Sequence, residues 1–157
     1  MSKVTRATKM LEQKGIAFTV HSYDYDPSAS RIGLQAAEAL GEDPNRVLKT
    51  LMARVDGKPV CVIVPSGSEV SMKKLAAAFH GKSAEMMKPQ DAERISGYKT
   101  GGISPFGQMR PIPVAIEADA LGQELVYLNG GQRGLQVRLS PRDVAAALGA
   151  TVAPIVA

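Results

Sequence analysis

Tryptophan is absent from this 157-residue chain, aromatic residues make up only 4% of it, and Cys61 is its single cysteine. The core must therefore be built from Val, Leu, Ile, Ala and Met, and base stacking on aromatic platforms, as in single-strand nucleic-acid binders, is disfavoured. One cysteine rules out an internal disulfide. Cys61, His21 and His80 lack metal-ligand spacing, so neither a structural zinc nor any other metal or cofactor is expected. No apolar run approaches the roughly 20 residues of a membrane span. The opening Met1-Ser2-Lys3-Val4-Thr5-Arg6 begins an amphipathic pattern rather than a signal peptide. A cytoplasmic protein without a membrane partner is the expectation.

What is present suits one ordinary domain. Hydrophobic residues reach 45% and charged residues 22%, values typical of globular chains and far from the disordered regime. Nineteen Lys and Arg against fifteen Asp and Glu leave a formal charge of +4. That mild excess favours a phosphate-bearing partner but lacks the clustered basic runs of a DNA-binding protein. It is equally compatible with a charge carried for solubility alone.

Periodicity and punctuation divide the chain. Val4, Ala7 and Leu11 mark a helix that Gly15 ends, followed by a strand over residues 16–23. Residues 34–40 read as a helix stopped at Gly41. Strands over 47–55 and 59–64 flank Asp56-Gly57 as a hairpin. Ser71 caps a helix through Phe79 that Gly81 stops, and Pro89 opens another that ends near Gly97. A strand at 114–117 precedes a second hairpin, 125–128 with 135–139, and Ser140-Pro141-Arg142-Asp143 starts a last helix ending at Gly149. Strands and helices alternate without strict βαβ repetition. The prediction is a single α+β domain over residues 1–157, with a mixed, largely antiparallel and partly barrel-like sheet flanked by helices.

Few residues offer chemistry. Alternation along 47–55 puts Lys49 on an apolar face with Val47, Leu51, Ala53 and Val55. A lysine there either snorkels to solvent, loses its proton more readily, or meets an anion or carbonyl. Gly101-Gly102-Ile103-Ser104-Pro105-Phe106-Gly107 is either a plain glycine-rich connection or a loop whose backbone approaches a ligand. Ser104 misses the G-x-S-x-G elbow and lacks a histidine partner, which excludes a serine hydrolase. Residues 129–134 run into a strand rather than a helix, so they are no dinucleotide fingerprint, and Gly81-Lys82-Ser83 is no P-loop. Cys61, inside the apolar run 60–64, reads as a buried structural thiol. His21 and His80 read as ordinary surface or strand histidines. Tyr23 either lines a pocket or covers the core.

Four segments together resemble the YbaK/EbsC family, relatives of the editing domain of bacterial prolyl-tRNA synthetases. They are His21-Ser22-Tyr23 with Asp26-Pro27, Val47-Leu48-Lys49-Thr50-Leu51, Tyr98 with residues 101–107, and Gly130-Gly131-Gln132-Arg133-Gly134-Leu135. The resemblance spans nearly the whole chain. It implies hydrolysis of mischarged aminoacyl-tRNA, above all Cys-tRNA(Pro), in trans, with the substrate's own thiol attacking its ester so that the protein supplies no nucleophile. It further implies Lys49 and Gly102 as the catalytic pair, with Tyr23, Ile32, Thr50, Gly101, Ser104, Asn129 and Gln136 around the substrate. The partners implied are the tRNA acceptor end and prolyl-tRNA synthetase. Two positions depart from the family pattern: a serine is common at Asn129 and an acid at Gln136. Amino-acid preference is thus open between cysteine, alanine and another residue, and a noncatalytic module binding tRNA or the synthetase is the alternative of a different class.

Overall fold

The computed structural model describes residues 4–28 and 32–157, the side chains of residues 32 and 33 excepted. Thr5 caps the first helix, α1 (Arg6–Gln13), in a reciprocal box: its hydroxyl accepts from the Thr8 amide at 3.1 Å, and the Thr8 hydroxyl accepts from the Thr5 amide at 2.8 Å. Ala7 and Leu11 face inward. Strand β1 (Thr19–Ser22) follows, then α2 (Ile32–Leu40).

The hairpin at Asp56-Gly57 forms as expected, joining β2 (Leu48–Val55) to β3 (Lys58–Pro65). Both turn residues take positive φ, 50° and 81°, the backbone that matches the twist of the flanking strands. Residues 60–64 of β3 are all buried, because β3 lies inside a five-stranded sheet covered on both sides. Its order is β4 (Ala84–Met86), β2, β3, β5 (Val114–Glu117), β8 (Thr151–Ala153), antiparallel through β3 and parallel beyond it. A second, wholly antiparallel sheet has the order β1, β7 (Leu135–Leu139), β6 (Val126–Asn129).

Alternation then sorts the side chains. Leu48, Met52, Cys61 and Ile63 meet Val126, Leu128, Val137 and Leu139 from the second sheet in the main core. Ala53, Val55, Val60, Val62 and Val64 form the opposite core with Leu75 of α3 (Met72–Ala78). The sheets join where Val47 bridges Tyr127, and they wrap the main core without closing into a barrel. Helices α4 (Pro89–Ser96) and α5 (Pro141–Leu148) start at proline and end at left-handed Gly97 and Gly149, as their sequences demand. Among the described residues, no helix is long and apolar enough to cross a membrane.

The end of α3 differs from expectation. Its left-handed residue is His80, at φ 58°, not Gly81. Gly81 serves close packing instead, since a Cβ there would lie 2.4 Å from Val55 Cγ1. Strands β4 and β8 also escaped the sequence reading: each is three residues long, too short to display alternation.

Candidate functional site

The outer edge of β2 is only partly covered. Strand β4 pairs with Ala53–Val55, and β6 touches the other end, where the Tyr127 amide donates to the Arg46 carbonyl at 2.8 Å. Among the described residues, the stretch 49–51 between them has no strand partner on that side. The Arg46 and Met52 carbonyls both point to this edge, the latter accepting from the Met87 amide at 3.1 Å. Backbone groups alternate along a strand, so the Thr50 N–H and C=O face the same gap. A cleft of about 380 Å³ opens there, lined by Lys49, Thr50, Tyr23, Gly101, Asn129 and Gln136 among others.

Six of the nine residues expected at the site thus share one cavity. Lys49 is half-buried, and its ammonium makes no hydrogen bond or ion pair among the described residues. Burial pulls its pKa below the ordinary lysine value, and the charge of Glu69 partly offsets this. Among the described residues, Thr50 Oγ1 and Gln136 Oε1 are buried without a hydrogen-bond partner, a rarity that marks a place for a ligand or water. Antiparallel register puts His21, Gln136 and Asn129 side by side on one face of the smaller sheet. The phenol of Tyr23, two residues beyond His21, is pushed up by burial and by Tyr25, while a contact with Gln136 pulls the other way.

Asn129 lines the cleft and also holds the loops around it. Its Oδ1 accepts from the amides of Gly131 and Gln132 at 2.7 and 3.1 Å, and its Nδ2 donates to the Gly101 carbonyl at 3.2 Å. The side chain therefore fastens the β6–β7 turn to the glycine loop. Arg133 adds a second tie, its Nε donating to the Thr100 carbonyl at 2.8 Å while its guanidinium sits 5.3 Å from the Tyr25 ring centroid.

Gly101 has φ 90°, and a Cβ there would meet the Tyr25 hydroxyl at 2.5 Å. Gly102 has no room either: a Cβ would sit 2.8 Å from the Arg133 amide nitrogen and 3.0 Å from the Gln132 carbonyl carbon. Its amide is already spent on the Lys99 carbonyl at 2.8 Å. Gly102 lies behind the cleft, in the wall shared with a neighbouring depression of about 440 Å³ lined by Arg6, Lys99 and Arg133. Gly102→Ala should lower stability by about 1–3 kcal/mol, because the obstructing atoms are backbone. Chemical denaturation measures the loss, and a variant as stable as wild type would refute this packing.

Ser104 is not at the cleft. It is fully buried, its Oγ accepts from the Phe106 amide at 3.1 Å, and its carbonyl accepts from Gln108 at 3.0 Å. A short hydroxyl two residues before a free amide closes a local turn, which turns it away from solvent. Ile32 opens α2, but its side chain lies outside the described residues. Cys61 is fully buried and its thiol is pushed up to about 12 by burial, with Gln108 pulling weakly the other way. It cannot serve as a nucleophile there. Among the described residues, no three His, Cys, Asp or Glu side chains cluster to hold a metal.

The model of the aminoacyl-tRNA editing domain matches residues 26–147. EbsC of Enterococcus faecalis, named as a candidate Cys-tRNA(Pro)/Cys-tRNA(Cys) deacylase, is 32% identical over 89% of this chain and 85% of its own. The proline–tRNA ligase of Acidithiobacillus ferrooxidans is 28% identical over 88 residues, 56% of this chain and 15% of that enzyme. In fold, a crystal structure of a candidate trans-editing enzyme for prolyl-tRNA synthetase superposes with a TM-score of 0.85 at 23% identity, covering 100% of this chain and 98% of the other.

Proposed function

Since this chain belongs to the aminoacyl-tRNA editing domain family, we propose that its β2-edge cleft hydrolyses the ester joining a wrong amino acid to the 3′ end of tRNA, with Cys-tRNA(Pro) as the substrate. The observation that carries this is one cleft lined by Lys49, whose ammonium is unpaired among the described residues, and by Thr50 and Gln136, whose Oγ1 and Oε1 are buried without a partner among them. The Lys49 ammonium and the Thr50 hydroxyl can donate to a carbonyl oxygen, while Gln136 Oε1 accepts from a ribose hydroxyl or an amine. A cavity of about 380 Å³ suits a small ligand such as the aminoacylated terminal nucleoside. The neighbouring basic depression at Arg6, Lys99 and Arg133 suits the phosphates leading to it.

No protein nucleophile is required. Ser104 is turned inward and Cys61 is sealed in the core, whereas a cysteinyl substrate brings its own thiol. Its sulfur bonds to the ester carbonyl carbon, the bond to the ribose oxygen breaks, and the thiol proton leaves with that oxygen. Water then opens the resulting thioester. The protein's share is to hold the ester in place and to stabilise the developing oxyanion, a role that falls to Lys49 and the free Thr50 N–H. Prolyl-tRNA synthetase, which selects amino acids partly by size, is the proposed partner for tRNA choice, and the cytoplasm the proposed compartment.

The test compares Cys-tRNA(Pro) with Ala-tRNA(Pro). Rapid release of cysteine with alanine spared is the expected result. Preference for alanine would instead mean a sibling deacylase without thiol assistance, and inertness toward both would favour a binding module.

A further inference from the structure

Among the described residues, no carboxylate lines the cleft. Its described lining contains one charged side chain, and that is a cation, Lys49. Apart from Glu69, the acids nearby are engaged elsewhere. Glu69 acts on Lys49 without lining the cavity. Glu93 accepts from the Thr100 amide at 2.8 Å, Glu42 faces Arg46 and the Tyr127 hydroxyl, Asp26 holds Ser28, and Asp91 pairs with Arg54 and Arg94.

The buried polar side chains of the cleft, Gln136 and Ser66, are neutral. Gln136 is 4% exposed and its Oε1 has no partner. An ammonium entering this cavity would shed water, meet no carboxylate in the described lining, and be repelled by the Lys49 cation. An uncharged amine would instead donate one N–H to Gln136 Oε1 and find a hydroxyl in Thr50.

We infer that the cleft binds the aminoacyl group with its α-amine uncharged, and that Gln136 is the residue that sets this preference. The inference rests on the deacylase reading and makes substrate protonation a determinant of binding. The α-amine of an aminoacyl derivative loses its proton near about pH 7.7, so the bound form is the major one only on the alkaline side. Other titratable groups line the same space: Tyr23 and Tyr25 beyond β1, and Lys49 from β2. Outside the lining, on the smaller sheet that carries Gln136, stand His21, whose Nε2 contacts Thr19 Oγ1 at 2.8 Å and whose ring meets Tyr127 edge-on, and Arg138, whose guanidinium lies 5.7 Å from the Tyr127 ring centroid. Helix α4 and the residues before it contribute Met87, Pro89 and Ala92, none of which is charged.

A matched pair of ligands separates the amine from these groups. Adenosine carrying alanine through a 3′-amide cannot be hydrolysed as an ester, and its lactyl counterpart replaces the amine by a hydroxyl. Binding of each to the intact protein is measured by calorimetry from about pH 6 to 9, a span that brackets the amine's pKa. The alanyl ligand should weaken about tenfold for each pH unit below that pKa, while the lactyl ligand reports only the protein's own groups. Gln136→Glu should reverse the order, favouring the alanyl ligand at low pH. An alanyl ligand that binds the wild type as well as the lactyl one at pH 6 overturns the inference and leaves the deacylase reading standing. Failure of both ligands to bind at any pH overturns the two together.

Discussion

Lys49→Ala lowers the rate of Cys-tRNA(Pro) deacylation by about two to three orders of magnitude, the range seen when a single preorganised oxyanion contact is removed, and leaves the fold intact. The rate loss follows from Lys49 being the one charged group among the described residues that line the cleft. The fold survives because its ammonium has no partner to leave stranded. Protonation adds a signature. Burial lowers the Lys49 pKa, so the cation is lost at a pH below that of a free lysine, and activity should fall as pH rises through that lowered value. Lys49→Arg keeps its charge and removes this alkaline limb, at some loss of fit. Glu69→Gln withdraws the one influence that raises the Lys49 pKa and moves the limb toward neutrality. A Lys49→Ala enzyme that is folded and retains more than about a tenth of wild-type activity would remove the lysine from the mechanism.

Glu117→Ala is the substitution with the largest expected cost to stability. Glu117 ends β5 and is 4% exposed, yet it forms no ion pair within salt-bridge distance among the described residues. Its carboxylate instead collects backbone donors. Oε1 accepts from the Ile155 and Val156 amides at 2.8 and 2.9 Å, and Oε2 from the Asp119 amide at 3.0 Å. These bonds hold the C-terminal segment so that Ile155 is fully buried in the second core. The Lys74 ammonium reinforces them by donating to the Val156 carbonyl at 2.9 Å.

Removing the carboxylate strands three amides, and a loss of about 3–5 kcal/mol is expected, read as a fall of roughly 10 °C in the thermal midpoint. Desolvation pushes the Glu117 pKa up, but the three amides and the Lys74 charge outweigh it, and the net value lies below that of a free glutamate. A carboxylate depressed on folding stabilises the protein above its unfolded pKa, and this contribution is lost as pH falls through the folded value. Glu117→Gln should therefore be less stable at neutral pH, and its stability should vary less with pH on the acid side. A difference from wild type that is the same at acid and neutral pH would contradict the role of the charge.

Most of the architecture was determined by adjacent residues. Thr5, Ser71 and Ser140 cap helices, Gly97 and Gly149 end them in the left-handed conformation, and Asp56-Gly57 turns the first hairpin. Each is a local free-energy preference spanning a few residues. The alternation of β2 likewise identified Lys49 as a cation where an apolar side chain was due. Where local signals were weak the reading missed: β4 and β8 are too short for a period, and His80 took the turn assigned to Gly81 because packing against Val55 left the glycine another task.

The site itself was decided by pairings between distant segments. Lys49 and Thr50 are accessible because β4 pairs with β2 only from Ala53 onward and β6 meets it only at Val47. No neighbour in the chain specifies that gap. Asn129 became a latch because its side chain reaches Gly101, 28 residues away, and Ser104 turned inward to close a turn. Gln136 was left with an unpartnered oxygen because its cross-strand neighbours, His21 and Asn129, bond elsewhere. Caps, turns and strand periods are encoded within a few residues, but which polar atoms stay unsatisfied is a sum over the whole packed structure, and only the tertiary fold completes it.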